Sequence, residues 1–234
     1  MKYKRILLKL SGEALAGEAG FGIDSARVSE IAGEVAEIAR LGVQVGVVVG
    51  GGNFFRGIGA PETGLRRISV DYMGMLATGI NAIALRDFLA AHEIKASVMS
   101  AIDMPPIAES FSPQAAVEQL DQGGVVVFSA GTGSPYFSTD TAAALRAIEI
   151  EAEVVAKATK VDGVYDKDPV RFPEARRYDK ISYAEVLSQG LAVMDATAVS
   201  LCKENNLPVV VFDLNLPGNI RRMVSGEEIG TLIY

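Results

Sequence analysis

The chain has 234 residues, a length between one and two average domains, and hydrophobic residues make up 49% of it. Its 22 lysines and arginines against 29 aspartates and glutamates give a net charge of -7, which argues against a broad nucleic-acid-binding face, because affinity for a phosphate backbone comes from clustered cations. One cysteine, Cys202, and one histidine, His92, exclude an internal disulfide and argue against a Cys/His zinc site or a Ser-His-Asp triad.

Short apolar runs rich in β-forming residues alternate with longer helical patterns along the chain. The predicted strands are, in chain order, 4–10, 43–49, 95–100, 125–130, 153–158 and 208–213, with 230–234 as an edge strand or tail. The predicted helices are 25–41 (capped by Asp24 or Ser25), 71–91, 113–121, 139–149, 182–189 and 195–205. This alternation predicts one α/β domain over residues 4–234, a three-layer α/β/α sandwich on a mainly parallel sheet, with two lobes around one cleft.

Neither a targeting segment nor a membrane span is predicted. The first apolar run, 6–10, is too short for the apolar region of a signal peptide, and no run of about 18 apolar residues occurs. Because a disulfide-free composition also fits a reducing compartment, we expect a cytoplasmic protein without a membrane partner.

Glycine occurs in the segments after four of the predicted strands, and in three of these segments it stands together with Ser, Thr or a cation. Lys9 and 11–12 end the first strand, 50–53 follow the second, and 131–140 and 159–165 follow two later strands. In an open parallel sheet, ligands bind beyond the carboxyl ends of the strands. Glycines let backbone N–H groups approach an anion, and a following helix adds its positive N-terminal dipole. Tight turns alone explain any single segment, but the segments together predict a site for a ligand with several phosphates, or for two phosphorylated ligands.

The common phosphate-binding fingerprints are absent from the sequence. It contains no G-x-x-x-x-G-K-[ST] motif, no G-x-G-x-x-G that opens a helix after the first strand, and no H-R-D catalytic loop. A chain that handles nucleotides without these motifs must use another framework.

Five segments together resemble the bacterial uridylate kinases, a branch of the amino acid kinase family. They are KLSGEAL at 9–15, GGGN at 50–53 with Arg56-Gly57, DYMGMLAT at 71–78, GTGSPYFSTD at 131–140 and KATKVDGVY at 157–165. The glycine segments are shared with acetylglutamate and aspartate kinases, whereas 71–78 and 131–140 are more specific to this branch. Ser134 stands where the family has asparagine more often.

The resemblance implies Mg²⁺-dependent transfer of the ATP γ-phosphoryl group to UMP, with no metal ligand among the site residues. It implies a catalytic set of Lys9, Arg56, Asp140 and Lys157. It implies an ATP set of Lys9, Leu10, Ser11, Gly12, Gly52, Arg56, Thr159, Tyr165 and Asp168. It implies a UMP set of Gly51, Asp71, Thr132, Gly133, Ser134, Pro135, Tyr136, Phe137, Ser138 and Thr139.

Regulation and assembly are also expectations from the resemblance. The family's GTP contacts, across subunits, correspond to Gly17, Glu18, Ala19, Gly20, Phe21 and Gly22. The resemblance implies that GTP activates the protein and that UTP inhibits it. It also implies a homohexamer and a place in de novo pyrimidine synthesis.

Several residues keep a plain structural alternative. Asp71 is either the N-terminal cap of the predicted helix 71–91 or an acceptor for the UMP ribose. Ser138 is either a helix cap or a phosphate ligand, and Asp140 either orients Lys9 or helps to hold Mg²⁺. His92 is expected to be a solvated or capping residue at a helix end. Two rival functions remain, a kinase with a carboxylate acceptor such as acetylglutamate and a catalytically silent nucleotide sensor.

Overall fold

The computed structural model describes residues 1–55 and 64–234. The strands in these residues are β1 (Arg5–Leu10), β2 (Gln44–Val49), β3 (Ala96–Ser100), β4 (Glu109–Ser110), β5 (Val125–Ser129), β6 (Val154–Thr159), β7 (Val164–Tyr165), β8 (Arg177–Tyr178), β9 (Lys180–Ile181), β10 (Val209–Asp213) and β11 (Thr231–Ile233). The α-helices are α1 (Ser25–Arg40), α2 (Arg67–Ala91), α3 (Pro113–Asp121), α4 (Thr139–Glu149), α5 (Tyr183–Ser188), α6 (Ala196–Glu204) and α7 (Asn219–Ser225).

Nine of the described strands form one sheet in the order β4-β3-β5-β2-β1-β6-β10-β11-β9. Every neighbouring pair is parallel except β10 and β11, which are antiparallel. Strands β7 and β8 form a separate antiparallel ribbon. Helices cover both faces of the sheet, so the α/β sandwich on a mainly parallel sheet is confirmed.

The central strand β1 shows how its sequence builds two apolar layers. Ile6, Leu8 and Leu10 belong to the core that β1 shares with α1, α2 and α7, whereas Leu7 belongs to the core on the α4 and α6 side. A central parallel strand is buried on both faces, which is why its apolar run is nearly continuous. Side chains alternate with a period of two, so Lys9 follows Leu7 onto the α4 side.

The ends of the predicted elements lie within one residue of the observed ends, with one exception. Helix α2 begins at Arg67, so the predicted start at residue 71 is wrong. At α1 the cap is Asp24, whose Oδ1 accepts from the backbone N–H groups of Ala26 at 3.0 Å and Arg27 at 3.1 Å. The early start of α2 moves Asp71 from the cap position into the helix.

Short elements account for the rest of the differences. The two-residue strands β4, β7, β8 and β9 are absent from the predicted elements, because they are too short to show a periodicity. Because β9 pairs with β11, the segment 230–234 is not the edge of the sheet, and the prediction of an edge strand or tail is wrong. Helix α7 was also missed; it has seven residues and follows Gly218, which has a φ of 81°.

Helix α2 is long enough and apolar enough to cross a membrane, judged by length and composition only. A helix in the core of a protein passes the same test, so the finding is weak evidence for a span. Val70, Leu85 and Leu89 are buried, and α2 packs on α1 and on strands β3 and β5. Packing therefore explains much of its apolar content.

Candidate active site

The carboxyl ends of β5, β2, β1 and β6 lie side by side, which brings the four glycine-containing segments to one edge of the sheet. Gly50 N donates to Leu10 O at 2.9 Å, which joins the ends of β2 and β1. A Cβ at Gly12 would lie 2.5 Å from Asn53 Oδ1, and one at Gly51 would lie 2.6 Å from Gly74 O on α2. Only glycine therefore permits the two loops and α2 to approach this closely.

Lys9, Asp140 and Lys157 form a charged cluster at this edge. Lys9 and Lys157 are direct neighbours across the β1–β6 pair, and both project toward the first turn of α4, which carries Asp140. Lys9 Nζ lies 2.9 Å from Asp140 Oδ1, and Lys157 Nζ lies 2.7 Å from Asp140 Oδ2. Lys157 Nζ also donates to the carbonyl of Val193. Two ammonium groups are thus held at fixed positions by one carboxylate.

Burial and charge shift the pKa values in this cluster. Burial disfavours the charged form of Asp140, but the nearby ammonium groups of Lys9 and Lys157 outweigh it and hold the pKa of Asp140 below 3.8. Burial and the positive charge of Lys9 lower the pKa of Lys157 below 10.5, and Asp140 offsets only part of that shift. With all three groups ionised the cluster carries one net positive charge, which suits an anionic ligand.

Asp140 does not fit the alternative role of a metal ligand. Each of its carboxylate oxygens is already within 2.9 Å of a lysine ammonium group. Within residues 1–55 and 64–234, no group of three or more His, Cys, Asp or Glu side chains could hold a metal ion. The structure therefore favours the orienting role for Asp140.

A cavity of about 430 Å³ opens beside the cluster. Lys9, Ser11, Thr159 and Lys160 line it on the strand side, and Leu214 lines it from the loop after β10. Thr159 Oγ1 donates to Val161 O at 2.6 Å, which shapes the turn after β6. Its volume lies in the range of small-ligand pockets. The Leu10 side chain is fully buried in the core, so it is not available to a ligand in this cavity.

Asp71 connects α2 to the loop after β5. Its Oδ2 accepts from Tyr136 N at 2.8 Å, and its Oδ1 accepts from Arg67 Nε at 2.8 Å. The cap interpretation of Asp71 is therefore wrong, because the helix begins one turn earlier. The carboxylate lies on the same side as the predicted UMP loop 132–139. Tyr136 has a φ of 72° and is 65% exposed, so its ring projects from this loop.

Ser138 caps α4, and an aspartate that sequence reasoning missed holds it in place. Ser138 Oγ accepts from Asp140 N at 3.0 Å and Thr141 N at 3.1 Å, so the cap interpretation is confirmed. The Ser138 hydroxyl donates to Asp195, which also accepts from Thr141 Oγ1 at 2.9 Å. Asp195 could be recognised in the sequence only as a cap of the predicted helix 195–205, because nothing local indicates its contact with α4.

Tyr165 and Asp168 of the predicted ATP set lie on an exposed arm, defined here as residues 162–178 around the β7–β8 ribbon, in which every residue except Gly163 and Val164 is exposed or half-buried. Tyr165 Oη donates to Asp162 Oδ1 at 2.6 Å, and Arg177 Nη1 donates to Asp162 Oδ2 at 2.9 Å. Asp168 Oδ1 accepts from Val170 N at 2.9 Å in a turn. Thr159 lines the cavity, whereas Tyr165 and Asp168 are not among its described lining residues.

The predicted effector segment 17–22 borders the same cavity, which Gly17 and Glu18 line. Phe21 is 70% exposed and packs edge-to-face on Phe54 with ring centroids 5.9 Å apart. Gly22 N donates to Asn53 O at 3.0 Å, so this segment is docked on the glycine loop.

Arg56, His92 and Cys202 complete the residues that the sequence singles out. Arg56 lies outside the described residues. His92 is the C-terminal cap position of α2, as expected for a capping residue, and its Nε2 lies 3.1 Å from Ser29 O. Cys202 is buried, and burial raises the pKa of its thiol to about 11, which agrees with an inert apolar role.

Comparisons with known proteins agree with this geometry. The model of the amino acid kinase family matches residues 4–213. UMP kinase from Bacillus anthracis is 41% identical, with a TM-score of 0.96 over 100% of this chain and 96% of that chain. UMP kinase from Ureaplasma parvum is 36% identical, with a TM-score of 0.93 over 100% of this chain and 99% of that chain. Uridylate kinase from Archaeoglobus fulgidus is 33% identical, with a TM-score of 0.76 over 98% of this chain and 99% of that chain.

Proposed function

Because this chain belongs to the amino acid kinase family, we propose that it transfers the γ-phosphoryl group of ATP to UMP and releases ADP and UDP. The observation that carries the proposal is the cluster of Lys9, Asp140 and Lys157 where the glycine loops converge. Phosphoryl transfer needs positioning and charge neutralisation more than covalent chemistry, and this cluster supplies both.

The two lysines and the glycine loops have distinct roles in the proposed reaction. Lys9 and Lys157 neutralise the charge that develops on the transferred group, and Asp140 keeps both ammonium groups in place. Backbone N–H groups of Gly51 and Gly52 contact UMP and ATP, respectively. Transfer is direct and in line in this proposal, because positioning and charge neutralisation suffice for phosphoryl transfer without a covalent intermediate on the enzyme.

The two nucleotides take opposite sides of the cluster in this proposal. ATP, which enters as its Mg²⁺ complex, occupies the cavity between the strand ends and the loop after β10. UMP lies against the loop 132–139, where the Asp71 carboxylate accepts from its ribose. The N-terminus of α4 binds its phosphate through the backbone N–H groups of Ser138 and Thr139, because the Ser138 hydroxyl already caps the helix and donates to Asp195. Arg56, Tyr165 and Asp168 are proposed ATP contacts on the family pattern.

Regulation, assembly and location complete the proposal. GTP activates through the segment 17–22, UTP inhibits, and the enzyme serves pyrimidine synthesis in the cytoplasm as one domain of two lobes.

A homohexamer is proposed, and the exposed apolar side chains on α2 support self-association: Ile68, Tyr72, Met73, Leu76 and Ile80 are 40–57% exposed. Sedimentation of the wild type and of Leu76→Asp tests the assembly; a monomeric wild type would contradict it.

The activity is tested by measuring ADP release from ATP and Mg²⁺ with UMP, CMP, dTMP and acetylglutamate as separate acceptors. We expect strong turnover with UMP alone. Turnover with acetylglutamate instead would identify a carboxylate kinase. Tight UMP binding without turnover on any acceptor would identify a nucleotide sensor and refute the kinase proposal.

A further inference from the structure

Three polar side chains on α2 hold backbone groups of two different loops of the candidate site. Asp71 Oδ2 accepts from Tyr136 N at 2.8 Å, and Thr78 Oγ1 accepts from Ala130 N at 2.7 Å. Asn81 Nδ2 donates to Gly50 O at 2.7 Å. Spacings of seven and ten residues keep these side chains on one side of the helix. A single rigid helix thus sets the distance between the loop after β2 and the loop after β5.

The Asn81 amide is locked by a reciprocal pair with Asn53. Asn53 Nδ2 donates to Asn81 Oδ1 at 2.9 Å, and Asn81 Nδ2 donates to Asn53 Oδ1 at 2.7 Å. Both side chains are at most 1% exposed. Each lost bond here leaves a buried polar group without water to replace its partner, so the pair has one strongly preferred arrangement.

Asn53 also clamps the segment 17–22 through two bonds. Its Nδ2 donates to Gly22 O at 2.7 Å, and its backbone O accepts from Gly22 N at 3.0 Å. All four amide hydrogens of the two asparagines are therefore used, on Gly22, on Gly50 and on each other. One buried unit joins α2, the glycine loop and the segment 17–22.

We propose that Asn53 and Asn81 are a positioning pair that fixes Gly50–Gly52 relative to α2 and couples the segment 17–22 to that loop. Its kinetic consequence rests on the proposed function, in which Gly51 and Gly52 contact the two nucleotides. A shift of about 1 Å in a positioning element costs on the order of a hundredfold in rate. The nucleotides keep their other contacts, so the loss falls on kcat more than on KM.

The kinetic test uses two variants of Asn81. Asn81→Asp keeps the shape of the side chain but removes its two N–H donors. Asn81→Ala adds no buried charge and replaces the first variant if that variant does not fold. We expect kcat to fall about tenfold to a hundredfold, with KM for ATP and UMP changed by less than about threefold. Leu89→Ala is the matched control: it removes a buried side chain from the same helix, so it lowers Tm but keeps the wild-type kcat. An unchanged kcat in a folded Asn81 variant would overturn the proposal, and so would a kcat loss matched by Leu89→Ala.

A second measurement reads the coupling without turnover. Hydrogen exchange of peptides that cover 17–22 and 50–53 is compared in wild type, Asn81→Ala and Leu89→Ala. We expect faster exchange of both peptides together in Asn81→Ala and not in Leu89→Ala. Exchange of 17–22 at the wild-type rate in Asn81→Ala would refute the coupling. If the wild type does not turn over UMP, the proposed function is refuted but the structural coupling is not. Hydrogen exchange tests the coupling without any turnover.

Discussion

Two ion pairs of the same length occur in very different surroundings in this protein. Lys9 Nζ lies 2.9 Å from Asp140 Oδ1, with side chains 13% and 17% exposed. On the exposed arm, Arg177 Nη1 also lies 2.9 Å from Asp162 Oδ2, but the side chains are 33% and 48% exposed. The comparison teaches that distance alone does not set the strength of a pair. Removal of one partner of a buried pair leaves the other charge buried and unpaired, which costs free energy. In an exposed pair, water screens the remaining charge, so the cost is small.

The two regions also differ in what holds them. Lys9 and Lys157 stand on adjacent central strands of the sheet, and the Asp140 helix is tied by Ser138 and Asp195. The arm consists of two-residue strands and a turn, and it is attached at Val164, which is buried and whose N–H donates to Thr231 Oγ1 at 2.8 Å. We therefore expect substitutions in the cluster to change chemistry and stability strongly, and those in the arm to have small effects.

The largest expected effect is on turnover. Lys9→Ala removes a cation from the proposed transfer site, so kcat should fall about a thousandfold while UMP binding changes much less. Steady-state kinetics and calorimetric binding of UMP measure the two effects. Lys167→Ala on the arm is the control: it loses exposed contacts with Glu174 at 2.9 Å and with the Phe172 ring at 5.6 Å, and it should leave kcat within about twofold. Unchanged turnover in Lys9→Ala would remove Lys9 from the mechanism.

The next effect sharpens the comparison of the two carboxylates. Asp140→Asn removes the carboxylate that pairs with two buried ammonium groups, so the free energy of unfolding should fall by about 3 kcal/mol. Asp162→Asn should lower it by less than about 1 kcal/mol, because water screens Arg177. Urea unfolding of both variants measures the difference. Equal losses would show that burial does not distinguish the two regions.

A smaller effect is expected in the pH dependence of kcat. Deprotonation of Lys157 removes a cation from the site, so kcat should fall as the pH rises through the pKa of this residue. Because burial and Lys9 lower that pKa, the decline should begin below the ordinary lysine value of 10.5. Lys157→Arg keeps the charge at alkaline pH and should move the decline upward. A wild-type profile that is flat up to 10.5 would contradict this assignment.

The smallest effect is expected on the arm itself. Tyr165→Phe removes the 2.6 Å hydrogen bond to Asp162 but keeps the aromatic ring. Asp162 retains Arg177, so kcat and KM for ATP should change by less than about twofold. A tenfold rise in KM would mean that the Tyr165 hydroxyl, and not only its ring, contacts the nucleotide.

Much of the fold and part of the site could be predicted from the sequence. Strand and helix ends were found because apolar periodicity depends on neighbours within one element. The glycine segments were expected at one sheet edge because parallel strands end together. The start of α2 was missed because Asp71 is a good cap residue, although Arg66 occupies the cap position. Asp195 and the Asn53–Asn81 pair were missed because their partners are distant in the chain.

The sequence by itself determined that Lys9 and Leu7 share one face of β1, because the alternation of side chains along a strand is local. It also determined where glycine and hydroxyl residues follow the strands. Only the tertiary structure decided that Lys9 and Lys157 are neighbours, that one carboxylate holds both, and that α2 sets the distance between two loops. The reason is physical: pairings between distant segments depend on the strand order and on the packing of side chains across elements, which no local pattern encodes.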